Sequence, residues 1–132
     1  MWRNIIPCTS ADLTAFEKKF KFTIQDPFRI YLLEHNSGIP SPGTIPTASR
    51  ERRIAQLLDF RNSSNPKGAW ETNLRLRDQI GSKRIVVGLD SSGNFICLER
   101  DYQEQYLVVW SHISGNFERS LLDIPALLRT WG

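Results

Sequence analysis

A chain of 132 residues with 40% hydrophobic residues, seven Phe and four Trp has the make-up of one globular domain. A domain of that size buries about two-thirds of its unfolded surface without a disulfide or metal staple, and the composition excludes wholesale disorder. The net charge is +3, and no window approaches the roughly 20 apolar residues of a membrane span.

Residues 1–9 read as a leading arm without the apolar stretch of a signal peptide, so cytoplasmic residence is the expectation. Ser10 is placed to cap a helix over residues 11–19, with Asp12 in its first turn and Leu13, Phe16 and Phe20 along one apolar face. Asp26-Pro27 opens a second helix, with Asp as the cap, Pro in the first helical position and Phe28, Tyr31 and Leu32 as the buried stripe. Asn36-Ser37-Gly38 ends it, and residues 37–49, with Pro40, Pro42 and Pro46, read as a loop. Residues 50–60 are ambiguous, because Ile54, Leu57 and Leu58 have helical spacing in a short segment. After the polar stretch 62–68, residues 70–80 read as a helix with Trp70, Leu74 and Arg77 on one face, stopped by Gly81.

Residues 85–89, 94–98 and 106–110 are three β-rich apolar runs, and Asp90-Ser91-Ser92-Gly93 between the first two has turn composition. Three such runs on short connections predict an antiparallel meander. Ser114-Gly115-Asn116 is a further turn. Asp123 then caps a final helix, with Pro125 in its first turn and Ile124, Leu127, Leu128 and Trp131 on one face. Helices set apart from an antiparallel sheet make a single α+β domain.

A search for chemistry finds little. His35 and His112 with Cys8 and Cys97 match no zinc spacing, and no cofactor motif is present. Cys97 reads as a small buried residue and not a reactive thiol. Asp90 to Asn94 faintly resembles part of a calcium loop but lacks the later acid and the flanking helices, so a hairpin turn is the better reading. There is no phosphate-cradling glycine pattern and no nucleophile elbow. No catalytic constellation emerges, and the chain reads as a non-enzyme.

Charge is uneven. Residues 50–84 carry nine Lys or Arg against four acids, an excess of +5 that leaves −2 for the rest. Such a segment can steer an anionic partner or bind nucleic acid, but no nucleic-acid-binding signature accompanies it, and a solvated basic face explains it equally.

Taken together, the pieces resemble the SUKH superfamily, which includes fungal cell-wall-synthesis regulators and many bacterial immunity proteins. Phe16-Glu17 looks like its opening element, and Asp26 to Leu33 is similar to its second helix. Asn36-Ser37-Gly38 with Pro40 resembles its N-G-G-x-P turn, with Ser37 standing where Gly is usual. Gly88 to Leu98 resembles its central hairpin, and Val109-Trp110-Ser111-His112 the strand that follows. The resemblance implies an antiparallel sheet wrapped by helices, a protein-binding groove and no catalysis. It implies an immunity protein that neutralises a cognate toxin by occlusion, or a regulatory interaction module of the same fold. Many such immunity proteins are acidic, whereas this chain is basic. That points away from a basic nuclease and towards an acidic toxin surface, or towards use of the acidic C-terminal part. Arg50, Arg52, Arg53, Arg75 and Arg77 form one candidate partner patch. Glu99, Asp101 and Glu104, read as the connection after the second meander strand, form another.

Overall fold

The computed structural model describes residues 2–41 and 43–132, and Pro42 lies outside them. Among the described residues four helices, α1 (Ser10–Phe20), α2 (Phe28–His35), α3 (Ala69–Ile80) and α4 (Ile124–Trp131), accompany eight strands. Strands β1 (Trp2–Arg3) and β2 (Ile39–Pro40) pair with each other. The other six are β3 (Thr44–Pro46), β4 (Glu51–Leu57), β5 (Arg84–Asp90), β6 (Phe95–Asp101), β7 (Glu104–Trp110) and β8 (Phe117–Arg119). They form one curled sheet in chain order, each antiparallel to the next. The fold is α+β, with the predicted meander at its centre.

The β5–β6 turn is built on a buried carboxylate. Asp90, 3% exposed, accepts from the backbone N–H groups of Ser92 (2.9 Å) and Asn94 (2.8 Å), and its other oxygen accepts from Asn94 Nδ2 at 3.2 Å. Gly93 supplies φ +82°, which a side chain would resist. Every oxygen of Asp90 is thus spent on the hairpin, which accounts for the faint likeness to a calcium loop.

Several elements differ from the sequence reading, each for a local reason. The loop expected over 37–49 contains β2 and β3. Pro40 and Pro46 are tolerated there because both strands are short and lie at sheet edges, where a missing N–H costs no ladder bond. The N-terminal arm contributes β1, and Trp2 packs against the core. The cap of α1 is Thr9, not Ser10: Thr9 Oγ1 accepts from Asp12 N (3.1 Å), and Asp12 Oδ2 accepts from Thr9 N (2.8 Å), a reciprocal capping box. Asp26 makes no cap on α2, whose first residue is Phe28; the Asp26–Pro27 peptide is cis. At the end of α2 the left-handed position falls on Ser37 (φ +64°), so the serine that replaces glycine does occupy a conformation glycine would favour. Asn36 beside it is fully buried and satisfied. It donates to Ile6 O and Asp59 Oδ1 and accepts from Phe60 N.

Residues 51–57 resolve as a strand. A bulge between Ile54 and Gln56 sets Ile54 opposite Asp90 and Leu57 opposite Gly88. The extra residue returns Leu57 to the face of Ile54, so three-residue spacing, which imitates a helix, marks one buried face of a bulged strand. Gly88 meets this strand closely, since a Cβ there would lie 2.8 Å from the carbonyl oxygen of Gln56.

Helix α3 exists as expected but is rotated. Its buried face is Ala69, Thr72, Asn73, Leu76 and Ile80, while Leu74 is 43% exposed and Arg77 is exposed. Asn73 explains the choice of face. Its side-chain oxygen accepts from Val86 N at 2.7 Å, and its Nδ2 donates to Val86 O (3.0 Å) and Ala69 O (2.8 Å). Val86 stands at a register shift in the β5–β6 ladder. The β4 ladder ends opposite Gly88, so Val86 has no β4 partner, and Asn73 supplies one. Helix α4 follows expectation: Asp123 Oδ1 accepts from Ala126 N at 2.9 Å, and Ile124, Leu127, Leu128 and Trp131 are buried.

Replacing Asp90 or Asn73 with Ala leaves buried N–H groups unpaired, and each change should cost about 2–4 kcal/mol of unfolding free energy. Arg53→Ala, at an exposed strand position, should stay within about 0.5 kcal/mol. Urea denaturation of the three variants checks the order.

Candidate functional site

Successive strand residues face opposite sides of a sheet, so Phe95, Cys97 and Glu99 share one face of β6. Register carries that face across four strands: Phe95–Trp110–Phe117, Val86–Cys97–Val108–Arg119 and Arg84–Glu99–Tyr106. The rings of Phe95 and Trp110 stack at 5.6 Å, and those of Trp110 and Phe117 at 5.8 Å. The Arg84 guanidinium lies 3.8 Å over Phe117, and that of Arg119 lies 4.0 Å over Tyr106. These long side chains roof the row of small ones, and Val86, Cys97 and Val108 are buried beneath them.

The expected acidic patch sits here, but it is not a connecting loop. Glu99 and Asp101 belong to β6, Glu104 begins β7 opposite Asp101, and the exposed turn between them holds Tyr102 at φ +57°. Nor are the acids unpaired. Glu99, with a side chain only 12% exposed, accepts from Arg84 Nε at 2.7 Å and from Arg119 Nη2 at 2.9 Å; Asp101 lies 3.7 Å from Arg119, and Glu104 accepts from the Tyr106 hydroxyl. Burial pushes the Glu99 carboxyl up, but the hydrogen bonds from Arg119 and Arg84 outweigh it and hold the group below its ordinary range. Cys97 beneath is pushed up to about 12 by burial, and half-buried Cys8 to about 11 for the same first reason, so both thiols are protonated and unactivated at neutral pH.

The five arginines of the expected basic patch are not brought together. Arg50, Arg52 and Arg53 lie at the β3–β4 turn and along β4. Arg52 pairs with Glu118 of β8, which also accepts from Ser49 Oγ at 2.8 Å, so this ion pair ties β4 to the far edge of the curled sheet. Hydrogen bonds from Ser49 and Arg52 hold Glu118 below the usual carboxylate range. Arg50 and Arg53 are exposed. Around them the β3–β4, β5–β6 and β7–β8 turns converge on a cleft of about 400 Å³, lined by Ser49, Arg50, Asn94, Ile113 and Asn116 among others; Ile113 is 88% exposed. Arg75 and Arg77 are exposed on α3, and Arg77 reaches the opposite end of the sheet, beside Arg84 and Arg100.

His35 is structural in this setting: its Nδ1 is 3.0 Å from Tyr31 O, and its ring packs on Trp2 and Tyr31. His112 is exposed, 6.2 Å from the Phe95 ring. Sequence reasoning missed Tyr106, Phe117, Arg84, Arg119 and Glu118 as partners of the predicted residues. The alternation Phe95, Cys97, Glu99 was a usable signal for one face, but β8, only three residues long, left no period to read.

Among the described residues no helix is long and apolar enough to cross a membrane. The SUKH_6 family model, described as SMI1-KNR4 cell-wall, matches residues 10–120. No curated protein and no solved structure matches the chain.

Because the Glu99 carboxyl is lowered in the folded state, its contribution to stability is present above the unfolded value of about 4.3 and lost as pH falls through the lower folded value. Glu99→Gln should therefore lower stability at pH 7 and flatten its decline below about pH 4.5. Chemical denaturation at pH 7 and pH 3 of both proteins tests this; a constant difference between them at the two values would contradict the assignment.

Proposed function

Since the chain belongs to the SMI1-KNR4 family of the SUKH superfamily, we propose that it is an immunity protein that binds a cognate bacterial toxin and blocks it by occlusion. The family match over residues 10–120 carries this reading, because toxin-immunity proteins are among the family's members. The local chemistry is compatible with it. Residues that could have tempted a metal or catalytic reading, Asp90, Asn94 and His35, are spent on turns and packing, and the thiols are unactivated. Binding of this kind breaks no bond. It needs a complementary surface of roughly 1,200–2,000 Å² with a few anchors at its centre.

The cleft where three hairpin turns meet is the preferred contact surface. It offers an exposed apolar side chain, Ile113, beside the exposed cation Arg50 and hydroxyl and amide groups that can adapt to a partner. Arg53, Arg75 and Arg77 would steer an acidic partner from a distance. Arg52 lines the cleft but is held by Glu118, and Glu99, Asp101 and Glu104, which also have partners within the chain, lie outside its lining. A toxin that acts on cytoplasmic targets would be met in the cytoplasm, and the protein would need no cofactor.

The family's cell-wall description favours a second reading, a regulatory interaction module of the same fold. Co-expression with the toxic domain encoded beside the gene distinguishes the two. Immunity predicts rescue of growth, a stable complex, and at least a tenfold loss of affinity in Ile113→Asp. Failure to rescue or to form the complex overturns it. A nucleic-acid-binding role predicts instead a gel shift that weakens steeply with salt and with loss of Arg50 and Arg53.

A further inference from the structure

At the end of the sheet opposite the hairpin cleft lies a cavity of about 140 Å³. Four cationic residues line it, Lys21, Arg77, Arg84 and Arg100, together with Ser82 and the apolar Phe20 and Ile85, and no acidic residue is in the lining. The cations come from four elements. Helix α1 stops at Phe20 and Lys21 follows in the left-handed conformation (φ 53°), Arg77 lies in the last turn of α3, Arg84 starts β5, and Arg100 is near the end of β6.

The fold accounts for two of them. Arg84 Nη1 donates to Ile80 O at 3.0 Å, and Arg100 donates from Nη1 to Lys21 O and from Nη2 to Ser82 O, both at 3.2 Å. These guanidinium groups satisfy carbonyls left open at the helix C-termini. Arg100 also lies 5.2 Å over the Phe22 ring. Their bonds fix them in the cavity wall with N–H donors to spare, since a guanidinium has five. Glu99, the acid paired with Arg84, spends one oxygen on it and the other on Arg119. Arg77 and Lys21 have no such task. Both are exposed and both line the cavity, where Arg84 alone of the four cations is paired with a carboxylate among the described residues.

We propose that this cavity is an oxyanion site that takes a single phosphate group, free or as a small phosphomonoester. A water's share of liquid volume is about 30 Å³, so the space is comparable to about five heavy atoms, the size of one phosphate and not of a nucleotide. Fixed guanidinium forks suit a tetrahedral dianion, and the mobile Arg77 and Lys21 close on it. Phe20 and Ile85 add apolar surface to the lining. This site is independent of the immunity reading: rescue from a toxin can fail while phosphate binds, and the reverse.

Isothermal titration of the whole chain with inorganic phosphate, glycerol phosphate and acetate at constant ionic strength tests it. Saturable one-to-one binding of phosphate is expected, at least tenfold tighter than acetate. Lys21→Ala and Arg77→Ala should each weaken it at least fivefold with an unchanged melting temperature, because neither side chain holds the fold. Arg53→Ala, near the far end, should have no effect. If glycerol phosphate matches phosphate the site takes esters, and if it fails the site takes the free ion. Absence of saturable binding, equal binding of acetate, or equal losses in Arg53→Ala and Arg77→Ala would overturn the proposal.

Discussion

The bonds from Asn73 to both backbone groups of Val86 are the constraint on which the rest of this molecule depends. An antiparallel sheet of six strands in chain order tolerates irregular strands only if the peptide groups set free find partners. Here the part of β5 beyond the end of the β4 ladder is met by a helix side chain, which ties α3 to the sheet. That position rotates Leu74 and Arg77 outwards and brings the C-terminus of α3 to the start of β5, where Arg84 can reach Ile80 O. Asp90 and Asn36 play the same part at the hairpin turn and at the end of α2. In each place a buried polar side chain substitutes for a regular ladder, and its loss would expose unpaired donors, not merely remove a contact.

Arginine does the corresponding work at the periphery. Arg52 joins β4 to the edge strand β8 through Glu118, and Arg84 and Arg119 share Glu99 beside an aromatic stack. Arg100 and Arg84 take the carbonyls at helix ends. Half-buried pairs of this kind consume charge that the linear sequence presents as free. Of the basic residues of 50–84, Arg50 and Arg52 line the hairpin cleft and Arg77 and Arg84 the opposite cavity, while Glu99 is neutralised by Arg84 and Arg119. The proposed partner surface and the proposed anion site can coexist because they lie at opposite ends of the same hairpin.

The legible parts of the sequence were those whose cause is local. The three central strands, the Asp90–Gly93 turn and the capped, amphipathic α4 follow from residue types within a few positions of one another. So does the resemblance to the SUKH superfamily, carried by those turns and strands. The misreadings had non-local causes. A bulge gave β4 a helix-like period, and a polar core face on α3 was passed over because its partner, Val86, is thirteen residues away. Edge strands of two or three residues hid within a proline-rich stretch and after a turn.

Sequence alone thus determined the fold class, the central meander and the family, since period, turn chemistry and capping are written in neighbouring residues. Tertiary structure decided which charges are free. Whether an arginine faces solvent, caps a helix or holds a carboxylate depends on partners as much as 79 residues away along the chain, as for Arg100 and Lys21. Distance in space, which no linear spacing encodes, separates the two surfaces on which function is proposed to rest.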